Sequence, residues 1–456
     1  MQFVDTIIRN GQVVLVDRVI EADVAIQNGV IVAIEPKLIM RGTEEIDATD
    51  QLVLPGGIDA HVHMNEPSPL KWEGFKTGTT MLAAGGVTTF LDMPLNGSPS
   101  TITAGAYAQK ERAAREASLV DFGLWGGLVP GNIAHLEAMA QAGAVGFKAF
   151  LSDSGNDEFE RADDETLLAG MFEIARLGKI LALHAESEAM TRYLKDEAIQ
   201  KGELTFQAYS ASRPIEAEVE AVTRALHYAR LTTCALHFVH ISSARAVEAI
   251  QAAKQEGLNV TLETCPHYLL FNEEALHDMG AVAKCAPPLR HKDEQHALQQ
   301  LFVSEQFDFI TSDHSPAPYA LKDLTTRHIF DAWGGINGGQ FTYVALIELA
   351  IKHDLPLHLI GRLFAKNVAQ RFCITQKGEL AVNYDADITM MSYNPQTATV
   401  ANMEARHKES IYEGHTFPVR VERTIVRGKT VWQQQVRQSF TYGKAIGSLQ
   451  QSTNAR

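Results

Sequence analysis

The chain has 456 residues, of which 45% are hydrophobic and 21% are charged, the composition of a globular protein with a sizeable buried core. Its length suits two or three domains, although a single α/β barrel often exceeds about 250 residues. The formal net charge of -15 argues against a nucleic acid or an anionic membrane as a partner, because phosphate groups attract basic surfaces.

The start of the chain and its cysteines indicate a cytoplasmic protein. Residues 1–5 carry no basic segment followed by an apolar run, so we do not expect a secretory signal. No stretch approaches the roughly 18 apolar residues of a membrane span. Cys234, Cys265, Cys285 and Cys373 are scattered without CxxC pairs, which is typical of a reduced chain without disulfides. Any metal would therefore be held mainly by histidine and carboxylate side chains.

Both ends of the chain have the pattern of β structure. Between residues 1 and 54, short β-branched runs are separated by Asn10-Gly11 and Asn28-Gly29, pairs that suit the positive φ angles of hairpin turns. A similar pattern returns after about residue 378. Neither end has enough strands to bury both faces of a sheet alone. We therefore predict one small β-sandwich from residues 1–54 and 376–440, followed by a polar tail over 441–456 that is frayed from residue 450.

Between the two ends, short apolar strands alternate with longer amphipathic segments. This alternation predicts an α/β fold with a parallel sheet that helices cover on the outside. Eight such units over residues 55–375 predict a (β/α)8 TIM barrel with its active site at the C-terminal ends of the strands. The alternative is an open doubly wound sheet, but no Gly-rich phosphate loop follows the first strand to favour it. The predicted strands cover residues 57–63, 87–93, 120–126, 145–151, 180–184, 236–241, 259–264 and 307–313.

Two histidines, His61 and His63, end the first predicted barrel strand. Side chains two positions apart on a strand point to the same face, so both imidazoles are directed to one point in the barrel mouth. Imidazole is a common ligand of zinc-like ions. An HxH pair alone is weak support for a metal site, because surface and core histidines are common.

Four further strand ends carry groups suited to metal binding: Lys148, His184, His240 and Asp313. Lys148 lies in a strand too apolar for an ammonium group, so it either reaches a carboxylate or solvent, or has a lowered pKa and reacts as an amine. Each of the others alone has an ordinary structural interpretation, such as a core histidine or a helix cap. Five strand ends with such groups are hard to obtain by chance, so we predict a metal centre.

Three neighbouring residues need separate treatment. His237 lies on the opposite face of its strand from His240, which favours a structural role. His314 points away from Asp313, and we expect it to support the ligands rather than to bind metal. Glu186 either orients His184 or forms an ion pair with a neighbouring helix.

These motifs resemble the amidohydrolase superfamily, in its cyclic amidohydrolase branch of dihydroorotases, dihydropyrimidinases (hydantoinases) and allantoinases. The resemblance covers nearly the whole chain and includes residues 53–59 (VLPGGID), 284–290 (KCAPPLR) and 377–387 (KGELAVNYDAD). It implies a barrel with a metal-dependent ring-opening activity and, by analogy, a homotetramer.

The resemblance also implies a ligand set for two divalent metal ions. His61 and His63 match ligands of the more buried ion, and His184 and His240 match ligands of the second. Lys148 matches the lysine that CO₂ converts to a carbamate bridging both ions. Asp313 matches the last ligand, which is also the catalytic acid and base. Zinc suits this set best, with iron, cobalt or manganese as alternatives.

Within the branch, allantoinases are the most similar group. Met64-Asn65 follows the HxH where dihydroorotases carry an arginine for the substrate carboxylate, and Asp153 stands where dihydropyrimidinases have a tyrosine. The segments similar to allantoinases are 72–79 (WEGFKTGT), 90–96 (FLDMPLN), 312–316 (SDHSP) and 332–336 (AWGGI). The residues that the resemblance implies for substrate contacts are Asn96, Ala286, Ser315 and Asn337.

The implied reaction is hydrolysis of the hydantoin ring of allantoin to allantoate, a step in purine degradation. Two divalent ions would lower the pKa of a shared water and polarise the ring carbonyl. A dihydropyrimidinase or hydantoinase, with the same metals and another ring, is the first alternative. A metal-free structural homologue is the second, and it predicts missing ligands, whereas all six positions are filled here.

Overall fold

The structure is a computed structural model that describes residues 3–68, 71–434 and 440–446. Its strands in chain order are β1 Phe3–Val14, β2 Val19–Gln27, β3 Val30–Glu35, β4 Arg41–Asp47, β5 Gln51–Pro55, β6 Gly57–Val62, β7 Val87–Asp92, β8 Asp121–Leu124, β9 Gly126–Gly127, β10 Phe147–Phe150, β11 Ile180–His184, β12 Ala235–Phe238, β13 Val260–Thr264, β14 Phe309–Ile310, β15 Ile388–Ser392, β16 Gln396–Thr397, β17 Thr416–Phe417, β18 Arg420–Val426 and β19 Lys429–Gln433.

The helices connect the strands of the middle of the chain. They are α1 Phe75–Ala84, α2 Ala104–Ala117, α3 Ile133–Ala142, α4 Asp164–Arg176, α5 Glu188–Gln200, α6 Phe206–Ala211, α7 Ile215–Thr232, α8 Ala244–Gln255, α9 Pro266–Leu270, α10 Glu273–Met279, α11 Lys292–Val303, α12 Thr342–Lys352, α13 Leu357–Gly361 and α14 Asn367–Arg371. Short 3-10 turns cover Gly280–Ala283 and Tyr319–Leu321, and one π-helical turn covers Arg362–Lys366.

Strands from both ends of the chain form one sheet, as the sequence predicts. Its order is β19-β18-β15-β5-β1-β2-β3, with β4 paired to β1. The central contact is between β5 and β15, which run antiparallel with Val53 opposite Met390. Side chains from both ends, among them Ile8, Val53 and Ile388, share one buried cluster. Neither end could bury these side chains alone, so the terminal domain requires both ends of the chain.

The predicted hairpin turn at Asn10-Gly11 is wrong, whereas the turn at Asn28-Gly29 is present. Asn10 lies inside β1, with φ 61°, where the pairing with β2 shifts between Ile8 and Gly11. A Cβ on Gly11 would lie 2.5 Å from the Cγ2 atom of Val53, so the close approach of β5 requires glycine there. The Asn-Gly pattern signals positive φ, which a β-bulge within a strand uses as readily as a hairpin turn does.

The middle of the chain is a closed barrel of parallel strands, which confirms the predicted (β/α)8 fold. One set of strands pairs in the order β6-β7-β8 and the other in the order β9 to β14. β8 and β9 are two parts of one barrel strand, separated at Trp125. The backbone N–H of Trp125 donates to the backbone carbonyl of Asp92 in β7. The barrel closes where Val62 bridges His314 and the His63 backbone N–H donates to the His314 carbonyl at 2.8 Å. Each predicted barrel strand overlaps an observed strand, and the one predicted over residues 120–126 overlaps both β8 and β9.

The helices cover the barrel with one apolar face each. α7 is the longest; it begins after Pro214, ends at Thr233 in a left-handed conformation, and buries alanine and leucine side chains at helical spacing. Among the described residues, no helix combines the length and the apolar character that crossing a membrane requires.

The chain returns to the barrel after β19. The Phe122 N–H donates to the Lys444 carbonyl at 3.0 Å, the Lys444 N–H donates to Asp121 at 2.8 Å, and Ala445 and Ile446 are buried. The segment that the sequence assigned to a polar tail thus begins with packed residues. The residues predicted to be frayed, from residue 450, lie outside the described residues.

Candidate metal centre

The C-terminal ends of β6 and β14 bring three polar side chains to one point inside the barrel mouth. The Nε2 atoms of His61 and His63 lie 3.1 Å and 3.3 Å from Oδ1 of Asp313. All three residues are at most 8% exposed. Alternation along β6 explains the pair, since residues 61 and 63 face the same side of the strand. One ligand atom from each residue lies within 4.8 Å of the other two, a geometry that can hold a metal ion.

A second pair of histidines lies beside this cluster. His184 ends β11, and His240 follows β12 with φ 40°. The Nδ1 atom of His184 is 3.1 Å from Nε2 of His240, and the ring centroids of His240 and His61 are 5.4 Å apart. Phe150 stacks on the His184 ring with a centroid distance of 4.4 Å and fixes its plane. The two groups of ligand candidates are therefore close enough to serve adjacent ions.

Two buried glutamates hold the imidazoles in orientation. The Nδ1 atom of His61 is 2.7 Å from Oε1 of Glu263, and the Nε2 atom of His184 is 2.7 Å from Oε2 of Glu186. A carboxylate at one ring nitrogen favours the proton there and leaves the lone pair of the other nitrogen directed into the site. Glu186 also forms an ion pair with Arg213. Glu186 thus both orients His184 and forms an ion pair.

Glu263 is a functional candidate that the sequence reasoning missed. It lies in β13 and accepts hydrogen bonds from His61 and, at 3.0 Å, from His237. The available signal was a carboxylate in a short strand whose other residues are uncharged, similar to the signal that singled out Lys148. Burial raises the pKa of Glu263 to about 8, so a nearby positive charge is needed to keep this carboxylate ionised at neutral pH.

We expect the Glu263→Gln variant to bind divalent metal about 10 to 100 times more weakly, because a neutral amide polarises the His61 ring less than a carboxylate does. Competition with a chromophoric chelator measures the affinity. The Glu294→Gln variant is a suitable control, since Glu294 accepts a hydrogen bond from the Ala244 N–H outside the site. Equal affinities of the Glu263 variant and the control would contradict this role of Glu263.

Lys148 lies in β10 and interacts electrostatically with histidines of both groups of ligand candidates, namely His61, His184 and His240. Its side chain is fully buried, and its Nζ atom has no hydrogen-bond partner among the described residues. Burial lowers the pKa of Lys148 to about 7, against the opposing influence of Asp313 and Glu263. An unpartnered ammonium group would be costly at this depth, whereas a neutral amine is a nucleophile able to take up CO₂. The structure therefore favours the reactive interpretation over ion pairing or exposure to solvent.

The neighbouring histidines do not contribute ligand atoms. His237 stacks on Phe309 with a centroid distance of 4.7 Å and contacts Glu263. The strand register pairs it with Ala182, which pairs with Lys148, so His237 faces the inside of the barrel and supports the site through Glu263. The His314 ring is fully buried and lies 3.7 Å from Glu73, away from the other histidines. His314 supports the centre through its backbone, because its carbonyl accepts from the His63 N–H.

The donor set fits divalent cations. The His61 lone pair on Nε2 faces a carboxylate oxygen at 3.1 Å, an arrangement that is repulsive unless a cation lies between the two atoms. Burial lowers the pKa of His61 and His240 well below the ordinary value, so protonation of these rings does not supply that cation at neutral pH. Neutral imidazoles, a carboxylate and an unpartnered amine together form a site for metal ions.

A cavity of about 470 Å³ opens above the centre. Three of the four residues predicted to contact substrate line it, namely Asn96, Ala286 and Ser315. Asn337 is not among the described lining residues; its side chain donates to the His407 carbonyl at 2.7 Å. The wall beyond Ala286 is formed by the loop of residues 330–335, called here the wall loop.

Asp153, which stands where dihydropyrimidinases have a tyrosine, lines the same cavity, but its carboxylate cannot donate a hydrogen bond as a tyrosine hydroxyl does. Its carboxylate accepts from the Gly155 N–H at 3.0 Å, and its backbone N–H donates to Glu188. Tyr209 also lines the cavity, but its hydroxyl donates to the Cys285 carbonyl at 2.7 Å. The cationic side chains that line the cavity are Arg192, Lys195, Arg213 and Lys284, which all carry N–H donors.

A sequence model of the amidohydrolase family matches residues 52–431. The chain is 49% identical over 429 residues to an allantoinase of Bacillus velezensis, with 94% of each chain covered. It is 46% identical over 430 residues to an allantoinase of Solibacter usitatus, covering 94% of this chain and 93% of that protein.

Solved structures with the same fold include two hydantoin-ring enzymes. An L-hydantoinase (dihydropyrimidinase) from Arthrobacter aurescens has a TM-score of 0.92 at 30% identity and covers 96% of this chain and 99% of its own. A dihydropyrimidinase from Brevibacillus agri has a TM-score of 0.89 at 30% identity and covers 96% of this chain and 98% of its own. The likeness therefore extends over both the barrel and the terminal sheet.

Proposed function

The chain belongs to the amidohydrolase family, and from this membership we propose that it is an allantoinase that hydrolyses the hydantoin ring of allantoin to allantoate in purine and ureide degradation. The observation that carries the choice of substrate is the level of similarity. Eight allantoinases share 38 to 49% identity with nearly the whole chain, whereas seven hydantoinase and dihydropyrimidinase structures of the same fold share 24 to 30%.

The proposed cofactor is a pair of divalent metal ions, with zinc first and iron, cobalt or manganese as alternatives. His61, His63 and Asp313 would hold one ion and His184 and His240 the other, with Lys148 as a carbamate between them. The support is the unpartnered amine of Lys148 beside both clusters and the histidine lone pairs directed inward. When bound, the ions supply a water of lowered pKa and polarise the ring carbonyl.

The chain's own residues position the ring and move the proton. The Asp313 carboxylate lies at the cavity floor, where it accepts the proton of the attacking water and delivers it to the leaving ring nitrogen. Asn96 and Ser315 line the cavity and are placed to donate to the carbonyl oxygen as negative charge develops there. Glu186 and Glu263 keep the imidazoles in one orientation during this cycle.

A dihydropyrimidinase or hydantoinase remains the second candidate, favoured by the TM-score of 0.92 to the Arthrobacter aurescens enzyme. Asp153 opposes it, since dihydropyrimidinases place a tyrosine at this position and no equivalent hydroxyl donor is available from Tyr209. A metal-free homologue is opposed by the complete ligand set. The proposal includes a cytoplasmic location and, by analogy with barrel relatives, a homotetramer. Light scattering measures the number of chains in the assembly.

The test of the proposal is turnover of four rings by zinc- or manganese-loaded protein: allantoin, hydantoin, dihydrouracil and dihydroorotate. We expect kcat/KM for allantoin to exceed that for each other ring by about a hundredfold or more, because a site that pairs with the ureido group rejects rings that lack it. A chelator should abolish turnover, and added metal should restore it. Faster turnover of hydantoin or dihydrouracil would contradict allantoin as the substrate but would agree with the proposed metal centre.

A further inference from the structure

Lys322 is a buried cation with an unusual set of partners. Its side chain is only 6% exposed, and its Nζ atom donates to the carbonyls of Gly335 at 2.7 Å, Ala281 at 2.9 Å and Trp333 at 3.4 Å. No ion pair joins it to a carboxylate in the described part of the chain. Burying an ammonium group is costly unless each of its N–H bonds is satisfied, and here backbone carbonyls alone do this.

A second lysine makes the same kind of contact from the cavity side. Lys284 donates to the carbonyls of Ala332 and, at 3.3 Å, of Phe330, and its Nζ atom lies 4.6 Å from the centroid of the Tyr209 ring. Lys284 lines the cavity, whereas Lys322 does not. Together the two ammonium groups bind four carbonyls of the wall loop, at residues 330, 332, 333 and 335.

These contacts determine which way the peptides of the wall loop face. In a trans peptide the N–H and the carbonyl point in opposite directions. When Lys322 binds a carbonyl on one side of the wall loop, the N–H of the next residue therefore points to the opposite side of the loop. The Trp333 carbonyl faces Lys322, and Gly334, whose N–H comes next, lines the cavity. Burial lowers the pKa of Lys322 to about 8, so the ammonium form still predominates at neutral pH.

We propose that Lys322 is a positioning residue for substrate binding, which holds the wall loop in the conformation that presents its backbone to the ring in the cavity. This inference rests on the proposed function for the identity of the ring. Lys322 does not contact the cavity, so it acts only through the loop, whereas Lys284 contributes both to the loop and to the cavity surface.

The test is the Lys322→Met variant of the full-length, metal-loaded protein, with allantoin as substrate. We expect KM to rise about tenfold or more, because the wall loop loses its hydrogen bonds to a buried charge and must be ordered again whenever the ring binds. We expect kcat to change less than about threefold and the metal content to stay unchanged, since the ligands are untouched. Lys366→Met is the control, because Lys366 pairs with Glu379 away from the cavity.

A second measurement does not depend on activity. Hydrogen exchange of peptides covering residues 330–336 should be faster in Lys322→Met than in the parent and in the control, because the Trp333 N–H loses its fixed partner, the Leu321 carbonyl, when the loop is released. If the methionine variant does not fold, Lys322→Gln serves in both measurements. Unchanged KM and exchange in a folded variant would overturn the proposal. Failure of the parent protein to open allantoin would overturn the proposed function and leave the exchange test valid.

Discussion

Replacing Lys148 by methionine is expected to lower the rate of ring opening by about a thousandfold or more and to reduce the bound metal from two ions per chain to one or none. Lys148 is the fully buried amine that faces both ligand groups without a hydrogen-bond partner among the described residues. Methionine fills nearly the same volume but cannot become a carbamate, so the bridging ligand is lost while the core of the barrel is kept.

Metal analysis of the purified variant, together with its kcat/KM for allantoin, measures both effects. Lys366→Met is the control, since Lys366 pairs with Glu379 away from the cavity and its replacement leaves every proposed ligand in place. A Lys148 variant that kept two ions and ordinary turnover would show that this lysine is only a buried structural residue.

Replacing Lys377 by methionine is expected to lower the stability of the folded protein by about 3 to 5 kcal/mol. The Nζ atom of Lys377 lies 2.9 Å from Asp121 at the start of β8 and 2.9 Å and 2.6 Å from Asp385 and Asp387 before β15. Arg427 in the turn between β18 and β19 is the second cation of this cluster, and it pairs with Asp121. Lys377 thus joins the barrel to the terminal domain, and its loss leaves buried carboxylates facing one another.

Thermal unfolding measures this effect as a lower unfolding midpoint. Arg245→Met removes an ion pair with Glu216 in which both side chains are more than half exposed, so it should change stability by less than about 1 kcal/mol. Equal unfolding midpoints for the Lys377 and Arg245 variants would contradict the claim that Lys377 stabilises the contact between the barrel and the terminal domain.

The periodic parts of the fold were predictable from the sequence because they depend on local spacing. Continuous apolar strands between amphipathic segments gave the barrel, and two incomplete β segments at the ends gave the shared sheet. The placement of His61, His184 and Asp313 followed from a rule of geometry, since parallel strands all end on one face of a barrel.

The supporting residues were harder to predict, because their partners lie far away along the chain. Glu263 contacts a histidine 202 positions earlier, and Glu73 contacts the backbone of Arg406, 333 positions later. Side-chain partners in long loops were equally out of reach: the sequence does not show that the Asn337 side chain donates to the His407 carbonyl. Such contacts depend on how loops cross above the barrel, which no local periodicity records.

The most direct test of the proposed chemistry is the identity of the product that metal-loaded protein forms from allantoin, followed by carbon-13 NMR. The proposed reaction yields allantoate, by cleavage of a ring amide, with no release of ammonia and with loss of all turnover when a chelator removes the metal. Release of ammonia from an intact ring, or allantoate formation that persists in protein freed of metal, would contradict ring opening at the centre formed by His61, His63, Lys148, His184, His240 and Asp313.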